Sequence, residues 1–240
     1  MARERAVVCL SGGMDSTVCA ALAARDYDAF GVHLSYGQRT EARELQSARQ
    51  VASLVGLREL LELKTDLFRR IGGSALTDAS IAVPDAIPEA DDSDLLASAS
   101  ERTGSDVPVT YVPFRNAHLL AAAVSWAEVL GARTVVIGAV EQDSSGYPDC
   151  RPAYYDAFNA LIAQGTRDGD IRVQTPLIRL RKWEIVRLGV ELGAPLHVSW
   201  SCYAGETEAC GVCESCTLRL RAFREAGETD PIPYALHAGA

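Results

Sequence analysis

The sequence predicts an α/β fold built on a doubly wound, mostly parallel sheet, followed by a small C-terminal segment that binds metal. Three observations carry this. Short β-type apolar runs alternate with longer helical stretches from the N-terminus onward. A glycine pair, Gly12–Gly13, follows the first of these runs directly. Four cysteines crowd into one short stretch near the C-terminus. The 240 residues suit one large domain with an appendage, taken here as residues 1–198 and 199–240.

The elements are expected in the following order. Residues 6–10 (AVVCL) form a first strand, and residues 15–25 a helix whose apolar side holds Val18, Cys19, Leu22 and Ala23. Residues 29–34 form a second strand, 41–55 a helix and 57–63 a third strand, which completes a β-α-β-α-β run. Residues 66–110 break the rhythm. They are rich in Ser, Asp, Ala and Gly, carry Pro84, Pro88 and Pro108, and are expected as an irregular surface insertion with one or two short helices. Regularity returns with an apolar helix at 116–130, a buried strand at 134–137 and a polar loop at 138–150. A helix at 152–164 has Pro152 in its first turn, where proline is preferred. A short strand at 171–174 and a helix at 182–192, ended by Gly193 and Pro195, precede a final short helix at 217–225.

Composition excludes several classes of function. Apolar residues at 48% supply a packed core, and no apolar run approaches the roughly 20 residues of a membrane span. Arg3, Glu4 and Arg5 lead straight into the first strand, unlike a secretory leader. Lys and Arg number 23 against 32 Asp and Glu, a net charge of −9 that argues against a broad nucleic-acid footprint. The expectation is a soluble cytoplasmic protein acting on small molecules, with no membrane or nucleic-acid partner.

Ser11-Gly12-Gly13-Met14-Asp15-Ser16 lies between the first strand and the first helix. Paired glycines let the backbone turn tightly, and the helix start presents amide groups and a positive dipole end to an anion. Ser11 and Ser16 add hydroxyl donors, and Asp15 is expected either to cap the helix or to hold Mg²⁺. The spacing matches neither the dinucleotide nor the Walker fingerprint. It resembles the S-G-G-x-D-S signature of the PP-loop ATP pyrophosphatases, which adenylate a substrate and release pyrophosphate. That chemistry needs cations, for which Arg115 and Lys182 are the candidates, alongside Asp15 and Ser16.

Of seven cysteines, Cys202, Cys210, Cys213 and Cys216 form the cluster, while Cys9, Cys19 and Cys150 are scattered. Four thiolates at this spacing suit a closed, tetrahedral structural zinc site. An iron–sulfur cluster or free buried thiols are the alternatives. Gly211 suits the turn on which neighbouring thiolates converge.

Further segments resemble one family within the superfamily. They are Val112-Pro-Phe-Arg-Asn116, Ser145-Gly-Tyr-Pro-Asp-Cys-Arg-Pro152, Thr175-Pro-Leu, Ser199-Trp-Ser-Cys-Tyr203 and Cys210-Gly-Val-Cys-Glu-Ser-Cys-x-x-Arg219. Together they are similar to the 7-cyano-7-deazaguanine synthases of queuosine biosynthesis, over nearly the whole chain. The resemblance implies conversion of 7-carboxy-7-deazaguanine, ammonium and ATP into the nitrile, with structural Zn²⁺, and a homodimer. It implies that Leu10, Ser11, Gly12, Gly13, Met14, Asp15, Ser16, Thr17, Val18, Cys19 and Ala20 hold ATP. The loop after the fourth strand is expected to meet the base, with Tyr147 stacking and Glu141, Asp143, Asp149 and Arg151 as polar contacts. Asp149 pairing with Arg151 is the structural alternative. The family usually has glycine where Phe114 stands, so a bulky side chain there is expected to reshape the adjacent pocket.

Two other readings compete. A tRNA sulfurtransferase on the same fold would need a sulfur-carrying cysteine, for which Cys150 is the candidate; unchanged turnover in Cys150→Ala would count against it. A non-enzymatic zinc module would leave the glycine loop unexplained.

Overall fold

The computed structural model describes residues 3–84, 107–141 and 146–235. Five parallel strands form one sheet in the order β3-β2-β1-β4-β5. They are β1 (Arg5–Cys9), β2 (Asp28–Ser35), β3 (Leu60–Lys64), β4 (Thr134–Ile137) and β5 (Arg172–Gln174). The helices are α1 (Met14–Asp26), α2 (Glu41–Val55), α3 (Leu67–Ile71), α4 (Arg115–Leu130), α5 (Pro152–Gly165), α6 (Lys182–Glu191) and α7 (Glu214–Ala226). Among the described residues, no helix is long and apolar enough to cross a membrane.

Strand side chains alternate between two helical layers. Val8 and Val136 face Val18, Val51, Ile185 and Phe223, so α1, α2, α6 and α7 cover one side. Val7, Cys9, Val135 and Ile137 face Leu120, Val124, Phe158 and Ile162 of α4 and α5 on the other. Burial of both faces explains why β1 and β4 read as continuous apolar runs instead of alternating ones. The chain winds from β1 through β2 to β3 at one edge, then returns to place β4 and β5 on the other side of β1. This reversal opens a crevice at the carboxyl ends of β1 and β4, where open α/β sheets bind ligands.

Local chemistry accounts for the boundaries that differ from expectation. β3 starts at Leu60 because Gly56 takes a left-handed conformation (φ 76°, ψ 39°) and the Leu57 amide bonds back to Ala52 O at 2.9 Å, closing α2. α7 starts at Glu214 because Cys213 is its N-cap residue. The 66–110 stretch is less of a surface excursion than its composition implied. It contains α3, the Ala75 amide bonds Val109 O at 2.9 Å, and Phe68, Leu76 and Val112 bury themselves with Tyr36. Its residues 85–106 lie outside the described residues.

The C-terminal segment locks onto the sheet. The Trp200 amide donates to Gly12 O at 2.8 Å, and the Arg43 guanidinium lies 4.4 Å from the centre of the buried Trp200 ring. Arg219 Nε and Nη2 grip the Asp230 carboxylate at 2.7 and 3.0 Å, with both side chains almost fully buried. Arg219 Nη1 also donates to Ser199 Oγ at 2.8 Å, and Tyr234 OH donates to Asp230 at 2.7 Å.

Candidate active site and metal centre

The glycine turn sits at the mouth of the crevice. Gly12 adopts φ 91°, and a Cβ there would stand 2.5 Å from Glu44 O, so only glycine lets α2 pack on the turn. Gly138, directly after β4, is equally constrained: a Cβ would meet the Asp15 carbonyl carbon at 2.9 Å and Ser16 N at 3.0 Å. Gly13 is the N-cap residue of α1, and no side-chain hydrogen bond closes the cap. The helix start is therefore open to an anion. Ser11 Oγ and Ser16 Oγ lie 3.0 Å apart, and Ser16 Oγ and Thr17 Oγ1 donate to Gly13 O at 3.0 and 2.9 Å.

Asp15 does not cap the helix. Its Oδ2 instead accepts from Lys182 Nζ at 2.6 Å, which joins the start of α1 to the start of α6. The buried Oδ1 has no hydrogen-bond partner. An acceptor oxygen left in this state beside an anion-binding helix start fits a divalent cation.

The cleft encloses about 290 Å³ and extends from this loop to an aromatic compartment. Tyr36, Tyr147 and Tyr203 line it, together with Arg115. Arg115 Nη1 donates to Tyr36 OH at 3.0 Å, with the guanidinium carbon 5.5 Å from that ring's centre. Tyr147 OH donates to Thr110 Oγ1 at 2.8 Å, and its ring centre lies 5.5 Å from that of Tyr111. Burial raises the pKa of Tyr36, Tyr147 and Tyr203, which keeps all three hydroxyls protonated.

Two further groups border the cleft. Glu44, on the first turn of α2, accepts from Gln38 Nε2 at 3.0 Å and Thr40 Oγ1 at 2.9 Å. Burial pushes its carboxyl above the usual glutamate range, against the opposing pull of those donors and of Arg115. His33 Nδ1 lies 2.9 Å from Leu10 O, so Nδ1 carries the proton, and the buried Nε2 has no partner. Burial lowers the His33 pKa.

The four clustered cysteines converge, with all Sγ atoms within 4.8 Å of one another. Cys210 and Cys216 Sγ are 3.9 Å apart, near the edge of about 3.8 Å expected for a tetrahedron of 2.3 Å zinc–sulfur bonds. Cys202 Sγ accepts amides from Ala204, Gly205 and Cys210 at 3.4, 3.1 and 3.3 Å, and Cys210 Sγ accepts from Cys213 N at 3.3 Å. Such N–H···S bonds orient and stabilise metal-bound thiolates. Gly211 (φ 74°) makes the turn between ligands. A closed set of four soft donors with this geometry suits zinc.

The family model described as "Queuosine biosynthesis protein QueC" matches residues 5–227. The chain belongs to the QueC family. It is 71% identical over 233 residues to the 7-cyano-7-deazaguanine synthase of Acidobacterium capsulatum, covering 97% of each chain. To the synthase of the same name from Koribacter versatilis it is 62% identical over 234 residues, covering 96% of this chain and 93% of the relative. Among solved structures, NAD+ synthetase from Burkholderia pseudomallei superposes with a TM-score of 0.42 at 15% identity, covering 98% of this chain and 70% of that one.

In this QueC chain the expected nucleotide-binding stretch divides in two. Leu10, Ser11, Gly13, Met14, Asp15 and Ser16 line the cleft, whereas Thr17, Val18, Cys19 and Ala20 are buried in α1 and Gly12 packs against α2. Arg115 and Lys182 both reach the cleft, as does Tyr147. Glu141 and Arg151 are exposed and do not line it. Asp149 is not paired with Arg151. It is buried at the start of α4, where its Oδ2 accepts Asn116 N at 3.2 Å while its backbone oxygen accepts Asn116 Nδ2 and Tyr155 OH. Burial raises its pKa, opposed by Arg115 and the Asn116 amide. Asp143 lies outside the described residues.

Phe114 does not reshape the pocket: its side chain is 59% exposed and absent from the cleft wall. Its backbone, at φ 59° and ψ 22°, is left-handed just before α4, a conformation that glycine adopts without the cost of a Cβ. Burial pushes the Cys9 thiol to about 12 and raises Cys19 too, which leaves both unsuited to carry sulfur.

Proposed function

We propose that this chain is a 7-cyano-7-deazaguanine synthase, which uses ATP to convert 7-carboxy-7-deazaguanine and ammonium into the nitrile. The observation that carries this reading is one cleft with two ends. At one end are an open helix start, Asp15 and Lys182; at the other is a tyrosine-walled compartment with a half-buried arginine. The near-full-length identity to synthases of that name supports the same activity.

Both activations have the same form. A carboxylate oxygen attacks the α-phosphorus of ATP and pyrophosphate departs, giving an acyl-adenylate. Ammonia, formed by loss of a proton from ammonium, adds to the acyl carbon. AMP then leaves with the C–O bond electrons and a second proton is lost, giving the amide. The amide oxygen attacks the α-phosphorus of a second ATP and pyrophosphate again departs. Loss of both N–H protons and departure of AMP complete the C≡N bond.

In this scheme the α1 start, Ser11 and Ser16 grip the polyphosphate, and Lys182 exchanges Asp15 for a phosphate oxygen. Mg²⁺ supplies charge neutralisation of the polyphosphate, and Asp15 is the residue that would hold it. Tyr147 stacks on the base, and Arg115 carries positive charge to the end of the cleft where the carboxylate is held. Glu141 and Arg151, exposed and off the cleft, and Asp149, engaged at the start of α4, leave Tyr147 as the base contact from this loop. Zn²⁺ is structural, held by the cysteine cluster. The resemblance further supports a cytoplasmic homodimer, and light scattering on the purified chain tests the dimer.

The test is mass spectrometry after incubation with ATP, Mg²⁺, ammonium and 7-carboxy-7-deazaguanine. The expected result is a nitrile product with AMP and pyrophosphate. Asp15→Asn should lower the rate about 100-fold while leaving the fold intact, as loss of a charge-positioning group does. A wild-type rate in that variant would contradict the phosphate-end assignment.

A further inference from the structure

We infer that Glu44 reads the donor edge of the base, the N1–H and 2-amino pair of a guanine-type ring, and so determines substrate specificity. The inference rests on the synthase reading above and deepens it.

Glu44 occupies the junction of the two ends of the cleft. Its backbone oxygen is the atom that Gly12 must avoid, so the first turn of α2 is pressed against the phosphate loop. Its side chain is fixed in place. Tyr36 N donates to Gln38 Oε1 at 2.9 Å, which orients the Gln38 amide and directs Nε2 to Glu44 Oε2 at 3.0 Å. Thr40 Oγ1 donates to Oε1 at 2.9 Å, and Thr40 itself is buried. Arg115, bonded to Tyr36 OH, acts electrostatically on the same carboxyl.

Each carboxylate oxygen thus has one protein donor and keeps acceptor capacity for another. Unlike Asp15, whose partnerless oxygen suits a cation, Glu44 is half-buried with a protein donor on each oxygen, and as a carboxylate it repels phosphate directly. Its remaining acceptor capacity faces the cleft that it lines, and its two oxygens suit two adjacent N–H groups presented in one plane. The guanine edge offers such a pair. Adenine offers an amino donor beside a ring-nitrogen acceptor, whose lone pair would face the second oxygen. Glu44 therefore favours the deazaguanine over a second adenine ring and helps to fix which ligand enters the tyrosine compartment.

Calorimetric titration provides the test. 7-carboxy-7-deazaguanine and its analogue lacking the 2-amino group are each titrated into wild type and Glu44→Gln. The amide can keep the bonds to Gln38 and Thr40, and thermal melting checks the fold. Wild type should bind the analogue about 10–100-fold more weakly than the parent, as loss of charge-assisted hydrogen bonds does. The variant should lose the parent by a similar factor and discriminate less than about 3-fold. Its KM for ATP and for ammonium should stay within the same narrow range.

Equal discrimination in both proteins, or a rise confined to the KM for ammonium or ATP, overturns the assignment. Wild type that binds parent and analogue alike overturns it without need of the variant. Discrimination by wild type in binding without nitrile formation would leave the edge contact standing and fail the synthase reading instead.

Discussion

Phe114 is the one non-glycine residue with positive φ among the described residues, and its side chain contributes little buried surface. A left-handed backbone costs a residue with a Cβ about 1–2 kcal/mol. Glycine removes that cost and gives back about 0.5–1 kcal/mol in unfolded-state freedom. Phe114→Gly should therefore raise the thermal midpoint by about 1–4 °C, read by differential scanning calorimetry; a fall would contradict the strain assignment. His33 supplies a second prediction. Its folded pKa lies below the ordinary 6.5, so below pH 6.5 the unfolded chain binds a proton that the folded chain refuses. The stability contribution is full above that pH and is lost as pH falls toward the lowered folded value. Urea unfolding should show wild type losing stability faster on acidification than His33→Asn, by at most about 1.4 kcal/mol per pH unit.

At the scale of elements, the close approach of β4 to α1 depends on Gly138. Gly138→Ala sets a methyl group against backbone and should cost about 1–3 kcal/mol in urea unfolding. Because the displaced atoms begin the helix proposed to bind the phosphates, pyrophosphate release should fall about 100-fold. Element positions were largely legible in the sequence where apolar period and punctuation agreed. Helix 41–55, with Gly56 after it, and strand 134–137 match the structure at both ends. The residue pattern starts the third strand three residues early, since the Gly56 turn takes up Leu57 by a bond to Ala52 that no local pattern records. α3 gave no periodic signal because five residues are too few to show one.

For the whole molecule, the site was legible where its residues sit in short local motifs, Arg115, Tyr147 and Lys182 among them. The glycine loop and the cysteine cluster are local patterns: residues 10, 11 and 13–16 of the first line the cleft, and the four thiols of the second converge. His33, Tyr36, Gln38 and Glu44 reach the cleft from the stretch between β2 and the first turn of α2, and Tyr203 from far along the chain; ordinary residue types do not announce such convergence. The available signal was position: the Tyr36-Gly37-Gln38 run follows β2 at the carboxyl edge of the sheet, where ligands gather. Trp200, Tyr203, Ser215 and Leu218 of the cysteine-bearing segment line the cleft, so loss of a metal from the cluster is expected to disturb the cleft. Chelation or Cys213→Ser should release about one zinc per chain, lower the thermal midpoint and raise the KM for the base together. Metal loss with an unchanged KM would separate them. The grip of Arg219 on Asp230 matters to anyone trimming the protein for expression. A chain stopped at residue 229 strands a guanidinium in the interior, at a penalty of about 3–5 kcal/mol. C-terminal tags and fusion partners therefore belong beyond Ala235, whose amide bonds Ala209 O at 2.9 Å.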